Sequence, residues 1–300
     1  MRVFLTGATG FIGSHVIPEL LGRGHHVLGL TRSDAGAMQL EAVGVEVHRG
    51  DLEQPETLAS GVAAADAVIH CAFDHNFEAF LANTAKDERN ITAMGDALMG
   101  TDKPILITSG IGIGTPRNGG PATEDILNPL HANPRIVTEL AAAALIARRI
   151  DVRTIRLPQV HDTNKAGLIT PLVAEARRAG AMAYVREGTT RWAAAHVGDV
   201  AKLYVLALER GEPGARYHAS AEEGVEARTI AEAIGQGTGL PVRSVGDDDI
   251  EHYFGWMAPF AALEMTASST WTQARLGWKP TGPDLLSDLA KMDYSVPVAV

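Results

Sequence analysis

Thr6-Gly7-Ala8-Thr9-Gly10-Phe11-Ile12-Gly13 closes an apolar run, Val3–Thr6, and opens a helical pattern, Ile12–Gly22. The spacing is G-x-x-G-x-x-G in a strand–turn–helix setting. Gly7 permits a tight turn, Gly10 keeps a side chain out of the way of an approaching pyrophosphate, and Gly13 lets helix and strand pack closely. The start of the helix offers unpaired N–H groups and a partial positive charge. The stretch therefore predicts a dinucleotide-binding turn, with Thr6, Gly7, Thr9, Gly10, Phe11, Ile12 and Gly13 as its contact residues.

Outward from this turn the chain alternates strands and helices. Val3–Thr6, His26–Thr31, Val45–Arg49, Ala67–Cys71, Pro104–Ser109 and Val152–Leu157 read as strands. Ile12–Gly22, Asp34–Ala42, Pro55–Ala63, 77–99 and Pro134–Arg149 read as helices. Runs such as Ala67-Val68-Ile69 and Ile105-Leu106-Ile107 lack alternation, as strands buried on both faces do. The implied fold class is α/β, a doubly wound parallel sheet with a smaller mixed C-terminal region. The boundary is expected near 157: residues 1–157 bind the cofactor, 158–300 bind substrate, and elements near 196–219 return to the first unit. Val200–Leu208 reads as one returning helix and Ala215–Ala219 as a strand.

The 300 residues carry 26 Lys plus Arg against 36 Asp plus Glu, a net charge of −10. That balance lacks the basic footprint of a general nucleic-acid binder. A single cysteine, Cys71, leaves no intrachain disulfide and suits a reducing compartment. No apolar run reaches the roughly 18 residues of a membrane span. A cytoplasmic protein is the expectation.

The second strand ends Leu28-Gly29-Leu30-Thr31-Arg32, where NAD-selective sites usually carry Asp or Glu. A guanidinium there meets a 2′-phosphate instead, so Arg32 predicts NADP(H) in preference to NAD(H).

These residues resemble the short-chain dehydrogenase/reductase superfamily on its extended, NAD-dependent epimerase/dehydratase side, which implies a Rossmann fold. Further matches span nearly the whole chain. Asp51-Leu52 resembles the adenine-binding position after the third strand. His70-Cys71-Ala72 is similar to the strand end where backbone passes the cofactor, and Asn90 opens a stretch like N-V-x-G-T. Ile107-Thr108-Ser109 through Gly114 resembles the strand ending in the catalytic Ser or Thr. Arg156-Leu157-Pro158-Gln159-Val160-His161, His196-Val197-Gly198-Asp199-Val200-Ala201 and Leu276-Gly277-Trp278-Lys279-Pro280 match R-x-x-x-V-x-G, H-V-x-D-V-A and L-G-W-x-P.

The departure lies at the chemistry, because no Tyr precedes Tyr184 and the family's Tyr-x-x-x-Lys is missing. His131-Ala132-Asn133-Pro134-Arg135 resembles a subgroup with His-x-x-x-Arg in that place. On this resemblance the catalytic residues are Ser109, His131 and Arg135. His131 is expected to act as general acid near its ordinary pKa of about 6.5. Arg135 is expected to bind the cofactor ribose and supply fixed positive charge, and Ser109 to orient the carbonyl. Pro134 favours the first turn of a helix, which would leave His131 before it. A shifted register, Arg135 for Tyr and Glu139 for Lys, is the second alignment.

On the substrate side, His161, Arg191 and Trp192 are candidates, with Arg191 for an anionic group and Trp192 for stacking. Phe254, Trp256, Met257, Phe260 and Met265 read as core or interface more than as a lid. The eleven histidines show no ligand spacing, so no metal is expected, and no G-x-S-x-G elbow appears. The reading that results is an NAD(P)H-dependent oxidoreductase acting on a carbonyl or alcohol of a small molecule, as a possible homodimer through its long helices. The alternatives are a nucleotide-sugar epimerase/dehydratase holding NAD, and a catalytically silent NADP(H)-binding regulator.

Overall fold

A computed structural model of the chain describes residues 1–76 and 79–295. Its first unit interleaves β1 (Arg2–Thr6), α1 (Phe11–Gly22), β2 (His26–Thr31), α2 (Asp34–Ala42), β3 (Glu46–Arg49), α3 (Glu56–Ala63), β4 (Ala67–His70), α4 (Phe80–Ala97), β5 (Ile105–Gly110), α5 (Ile136–Ala147) and β6 (Val152–Leu157). Then come β7 (Gln159–His161), α6 (Ile169–Ala179), β8 (Met182–Val185), β9 (Arg191–His196), α7 (Val197–Arg210), β10 (Arg216–His218) and β11 (Glu222–Glu226). The chain ends with α8 (Ala227–Thr238), β12 (Val242–Val245), α9 (Ile250–Phe254), α10 (Ala258–Ala261), α11 (Thr270–Leu276) and α12 (Leu285–Leu289).

Seven strands form one parallel sheet in the order β10-β6-β5-β4-β1-β2-β3. The order reverses direction between β1 and β4. In sheets of this kind ligands bind beyond the carboxyl ends of the strands at that reversal. β7, β9 and β11 make a second, three-stranded sheet of mixed direction, and β8 pairs with β12 in parallel.

Side-chain alternation divides the core into two layers about the large sheet. Leu5, Ile69, Leu106 and Ile155 pack with α1 and α7 through Val16, Leu20, Val200, Leu203 and Tyr204. Phe4, Val68, Ile105 and Ile107 pack on the opposite face with α3, α4 and α5 through Leu58, Ile91, Met94 and Leu145. The second unit has its own core, built on Trp192, Ile230, Phe254, Met257 and Leu289. Phe254 and Met257 are therefore core residues, while Trp256 keeps 37% of its surface exposed.

The strand bounds agree with the sequence reading to within a residue. The helix read over 77–99 spans Phe80–Ala97, and Phe77 lies outside the described residues. The helix read from Pro134 starts at Ile136, because the chain enters it through three-residue turns in which the Ile136, Val137 and Thr138 N–H groups donate to the Asn133, Pro134 and Arg135 carbonyls. The Asn133 side-chain oxygen accepts the Arg135 N–H at 2.9 Å, and tight-turn bonds carry the chain into α5. Residues near the C-terminus also rejoin the first core: Leu276 and Trp278 pack with α1 and α7, and the Trp278 indole N–H donates to the Asp199 carbonyl at 2.9 Å. The buried Asp199 carboxylate accepts from the backbone N–H groups of Thr281 and Gly282 at 2.8 and 2.6 Å. The H-V-x-D-V-A and L-G-W-x-P stretches thus hold each other. Among the described residues no helix is long and apolar enough to cross a membrane.

Candidate functional site

The glycine turn joins β1 to α1 at the reversal point. Gly7 has φ +69°, and a methyl group there would lie 2.8 Å from the Ala72 nitrogen. A Cβ on Gly13 would lie 2.1 Å from the Gly7 carbonyl oxygen. Gly10 differs, because its only near neighbours are the Gly7 carbonyl atoms, at 3.1 Å or more. It caps α1 without any side-chain bond, so no capping side chain covers the first-turn N–H groups, the setting in which helix starts receive anions. Thr9 and Gly10 are exposed and Phe11 and Ile12 half-buried. These features fit the diphosphate of a dinucleotide.

Around this cradle stand the other cofactor candidates. Arg32, at the end of β2, leaves 77% of its side chain exposed, with its nearest carboxylate at 4.0 Å on Asp51. Asp51 and Leu52 are half-buried after β3. The Ala72 N–H donates to the buried Thr6 hydroxyl at 3.3 Å, and the Cys71 N–H donates to the Thr6 carbonyl. Burial pushes the Cys71 thiol up to about 12 against the lowering influence of Tyr204 and Thr108. The thiol therefore stays protonated at neutral pH and is no nucleophile. Asn90 is 1% exposed inside α4, and its side-chain oxygen has no partner among the described residues. The structure does not bring Asn90 to the cradle's surface.

Arg135 caps α5 beside the carboxyl ends of β4 and β5. Its Nη2 donates to the Thr108 carbonyl at 2.7 Å, and its guanidinium carbon lies 3.7 Å over the Phe73 ring. Asp87 on α4 places a carboxylate oxygen 3.8 Å from the same Nη2.

His131 lies in the turn before α5, so the shared helix face expected of residues four apart does not exist. Its Nδ1 accepts the Asn133 N–H at 3.1 Å. The neutral ring then carries its proton on Nε2, which has no partner among the described residues. Burial, together with the Arg156 charge, holds the imidazole below its ordinary 6.5 despite the nearby Glu139.

Ser109 is turned away from this pocket. Its residue is 3% exposed, and its hydroxyl donates to Glu139 Oε1 at 2.8 Å. Glu139, on α5, is itself committed to Arg156, which donates from Nε at 2.8 Å and Nη2 at 2.7 Å, and to Arg216 at 3.2 Å. Arg156 Nη1 also meets His218 Nε2 at 3.1 Å. Burial, then the Arg156 charge, pulls His218 down to about 3, so it remains neutral. The shifted alignment thus sets a buried structural carboxylate where a lysine would stand, and Ser109 serves that cluster.

The substrate candidates are also dispersed. His161 is fully buried, with Nδ1 2.7 Å from Asp288 on α12. Trp192 is 2% exposed, and its indole N–H donates to the Leu263 carbonyl at 3.0 Å. Their burial comes from β7 and β9 being strands of the second sheet, packed under α8 and α12. Arg191 is exposed and paired to Glu264 at 3.4 Å. Phe73 and Asp87 were missed. A sequence signal for Asp87 existed in its spacing of three from Asn90, one helical turn along the buried face of α4.

The chain is similar to known proteins in sequence and in fold. A profile of the NAD dependent epimerase/dehydratase family matches residues 3–220. An uncharacterized protein of Schizosaccharomyces pombe is 39% identical over 295 residues, covering 98% of this chain and 100% of its own length. The 4-hydroxy-2-methyl-3-oxo-4-farnesyl-3,4-dihydroquinoline-1-oxide ketoreductase of Stigmatella aurantiaca is 29% identical over 252 residues, 77% of this chain and 71% of that one. Among solved structures, the NAD complex of UDP-glucose 4-epimerase from Thermus thermophilus aligns with a TM-score of 0.75 over 97% of each chain, at 20% identity.

Proposed function

The chain belongs to the NAD dependent epimerase/dehydratase family, and on that premise we propose that it is an NADP(H)-dependent oxidoreductase that reduces a carbonyl on a small organic molecule or oxidises the corresponding alcohol. The observation that carries this reading is Arg135, a guanidinium held against the carboxyl ends of β4 and β5 beside the glycine cradle, with a histidine four residues before it whose Nε2 has no partner among the described residues. The similar ketoreductase supports the reaction class.

Gly7, Gly10, Gly13 and the start of α1 hold the diphosphate, Asp51 and Leu52 border the adenine, and Arg32 meets the 2′-phosphate. Cys71 and Ala72 contribute backbone. Arg135 bonds the nicotinamide ribose and keeps a positive field where an alkoxide develops. When bound, the reduced dinucleotide supplies a hydride to the carbonyl carbon. His131 gives its Nε2 proton to the carbonyl oxygen and regains one from solvent. Ser109 enters as the residue that fixes Glu139, and His161 and Trp192 as supports of the pocket wall. Arg191, exposed at the edge of the second sheet, is the group left to meet an anionic substrate.

A second reading, a silent NADP(H) binder, draws support from the commitment of the Ser109 hydroxyl to Glu139. Purified protein mixed with NADPH and a panel of aldehydes and ketones separates the two. The proposal expects loss of nicotinamide absorbance, abolished by His131→Phe with NADPH affinity nearly intact. Wild-type turnover in that variant would remove His131 from the mechanism, and tight NADPH binding with no turnover on any carbonyl would favour the silent binder. NAD retained on isolation would point instead to an epimerase or dehydratase.

A further inference from the structure

We propose that Asp87 is the positioning residue for Arg135, and that it does so as the end of a buried polar chain rooted in the glycine turn. The inference rests on the reading that Arg135 meets the cofactor.

Asp87 is 4% exposed on α4. Its Oδ1 lies 3.0 Å from His70 Nε2, and its Oδ2 accepts the Thr138 hydroxyl at 2.6 Å. His70 Nδ1 lies 2.7 Å from the Thr6 hydroxyl, which already accepts the Ala72 N–H. The ionised carboxylate can only accept, so Nε2–H donates to Asp87, and Nδ1 shares the remaining ring bond with the Thr6 hydroxyl. The carboxylate is then the one full charge facing Arg135 within 4 Å among the described residues.

Two of Arg135's other contacts, a carbonyl and a ring face, restrain a guanidinium without neutralising it. Among the described residues Asp87 places the nearest opposite charge, from a site fixed by three elements: β4 through His70, α5 through Thr138 and its own α4. Burial alone would push the Asp87 carboxyl up, but the bond from His70, the charge of Arg135, the charge of His70 and the Thr138 hydroxyl bring it below the ordinary carboxylate range. It is ionised at neutral pH. The arrangement answers a need that an arginine creates here, since its long, fully charged side chain would otherwise turn toward solvent.

The test is a double-mutant cycle on cofactor affinity. NADPH and NADH dissociation constants are measured for wild type, Asp87→Asn, Arg135→Ala and the double variant. Asp87→Asn is expected to weaken binding about tenfold when Arg135 is present and less than about twofold in the Arg135→Ala background. Equal losses in both backgrounds mean a merely structural role and overturn the proposal. Tighter binding in Asp87→Asn means simple charge repulsion with the anionic cofactor and also overturns it.

A second readout needs no cofactor. Resolved Arg135 Nη–H signals are expected in ¹⁵N NMR of wild type, because Nη2 is the atom held, and their loss is expected in Asp87→Asn. A signal unchanged by the substitution, or absent from wild type, overturns the proposal. If wild type binds neither dinucleotide, the functional reading fails and this signal decides alone. If Asp87→Asn does not fold, Thr138→Val keeps the charge and frees Oδ2. It should then give about a threefold loss confined to the Arg135 background.

Discussion

Replacing Gly10 by alanine separates the folding role of the glycine turn from its binding role. Gly10 has φ −80° and ψ 172°, which any residue adopts. The added methyl would have one close neighbour, the Gly7 carbonyl oxygen at 3.1 Å. The folding cost is that of alanine at a helix N-cap, about 0.5–1 kcal/mol. For a chain of this size that is a fall in Tm of roughly 1–2 °C. The binding cost is larger, because the methyl stands in the cradle itself. An overpacked contact of about 1–3 kcal/mol corresponds to roughly a 5- to 150-fold loss of NADPH affinity. Gly13→Ala is the contrast. There the methyl meets the Gly7 carbonyl at 2.1 Å, and backbone must move by about 1 Å to relieve it. Stability and binding should fall together. Urea unfolding and NADPH fluorescence titration on both variants supply the numbers. Wild-type affinity in Gly10→Ala would refute the placement of a diphosphate over Gly10. Unfolding of Gly10→Ala as severe as that of Gly13→Ala would refute the steric account.

Arg32→Ala should weaken NADPH about tenfold and leave NADH unchanged, because the exposed guanidinium has only a distant pairing with Asp51 to lose; equal effects on the two cofactors would remove Arg32 from selectivity. The imidazole of His131 is held below its ordinary pKa, so its charged form becomes scarcer as pH rises. If the imidazolium is the acid, carbonyl reduction should fall about tenfold per pH unit above that lowered pKa. A pH–kcat/KM profile flat from pH 6 to 8 would mean that the neutral Nε2–H is the donor. Glu139→Gln strips the carboxylate from the fully buried Arg156 and should cost about 3–5 kcal/mol. That corresponds to a fall of roughly 10 °C in a thermal melt, and a change of only a degree or two would show that the cluster rearranges around the loss.

The large sheet was legible because its strands are short, apolar and separated by helical patterns, and the glycine spacing marks the one turn where backbone must pass close to backbone. The start of α5 was legible in part: Pro134 warned that His131 lay outside the helix, and the bond from Arg135 N–H to the Asn133 side chain carries that out. Harder to read were contacts between distant segments. His161 and Asp288 are 127 residues apart, and nothing local to either announces the pairing that buries them. Trp192 reads equally as a stacking platform or a core residue until β9 is known to be the central strand of the second sheet.

The position of Ser109 was hidden in plain alternation, and its cause explains the whole site. Along β5, Leu106 faces the α1/α7 layer, while Ile105 and Ile107 face the α4/α5 layer. Period two then sends Thr108 toward α7 and Ser109 toward α5. Thr108 indeed meets the Tyr204 hydroxyl of α7 at 2.6 Å, and Ser109 meets Glu139 of α5. β4 runs in parallel with the same rule: Val68 packs with the α4/α5 layer and His70 points the same way, to Asp87, while Ile69 packs with α1 and α7 and Cys71 points with it toward Tyr204. Each strand end therefore delivers one polar side chain to each layer, and neither layer leaves its group free for a substrate. The groups that remain lie on the segments between the strand ends and α5: the guanidinium of Arg135, seated on the Thr108 carbonyl and the Phe73 ring, and the imidazole of His131. In a chain without Tyr-x-x-x-Lys the proposed chemistry falls on these connecting segments, where Asp87 faces Arg135 at 3.8 Å, while Glu139 ties Ser109, Arg156 and Arg216 together.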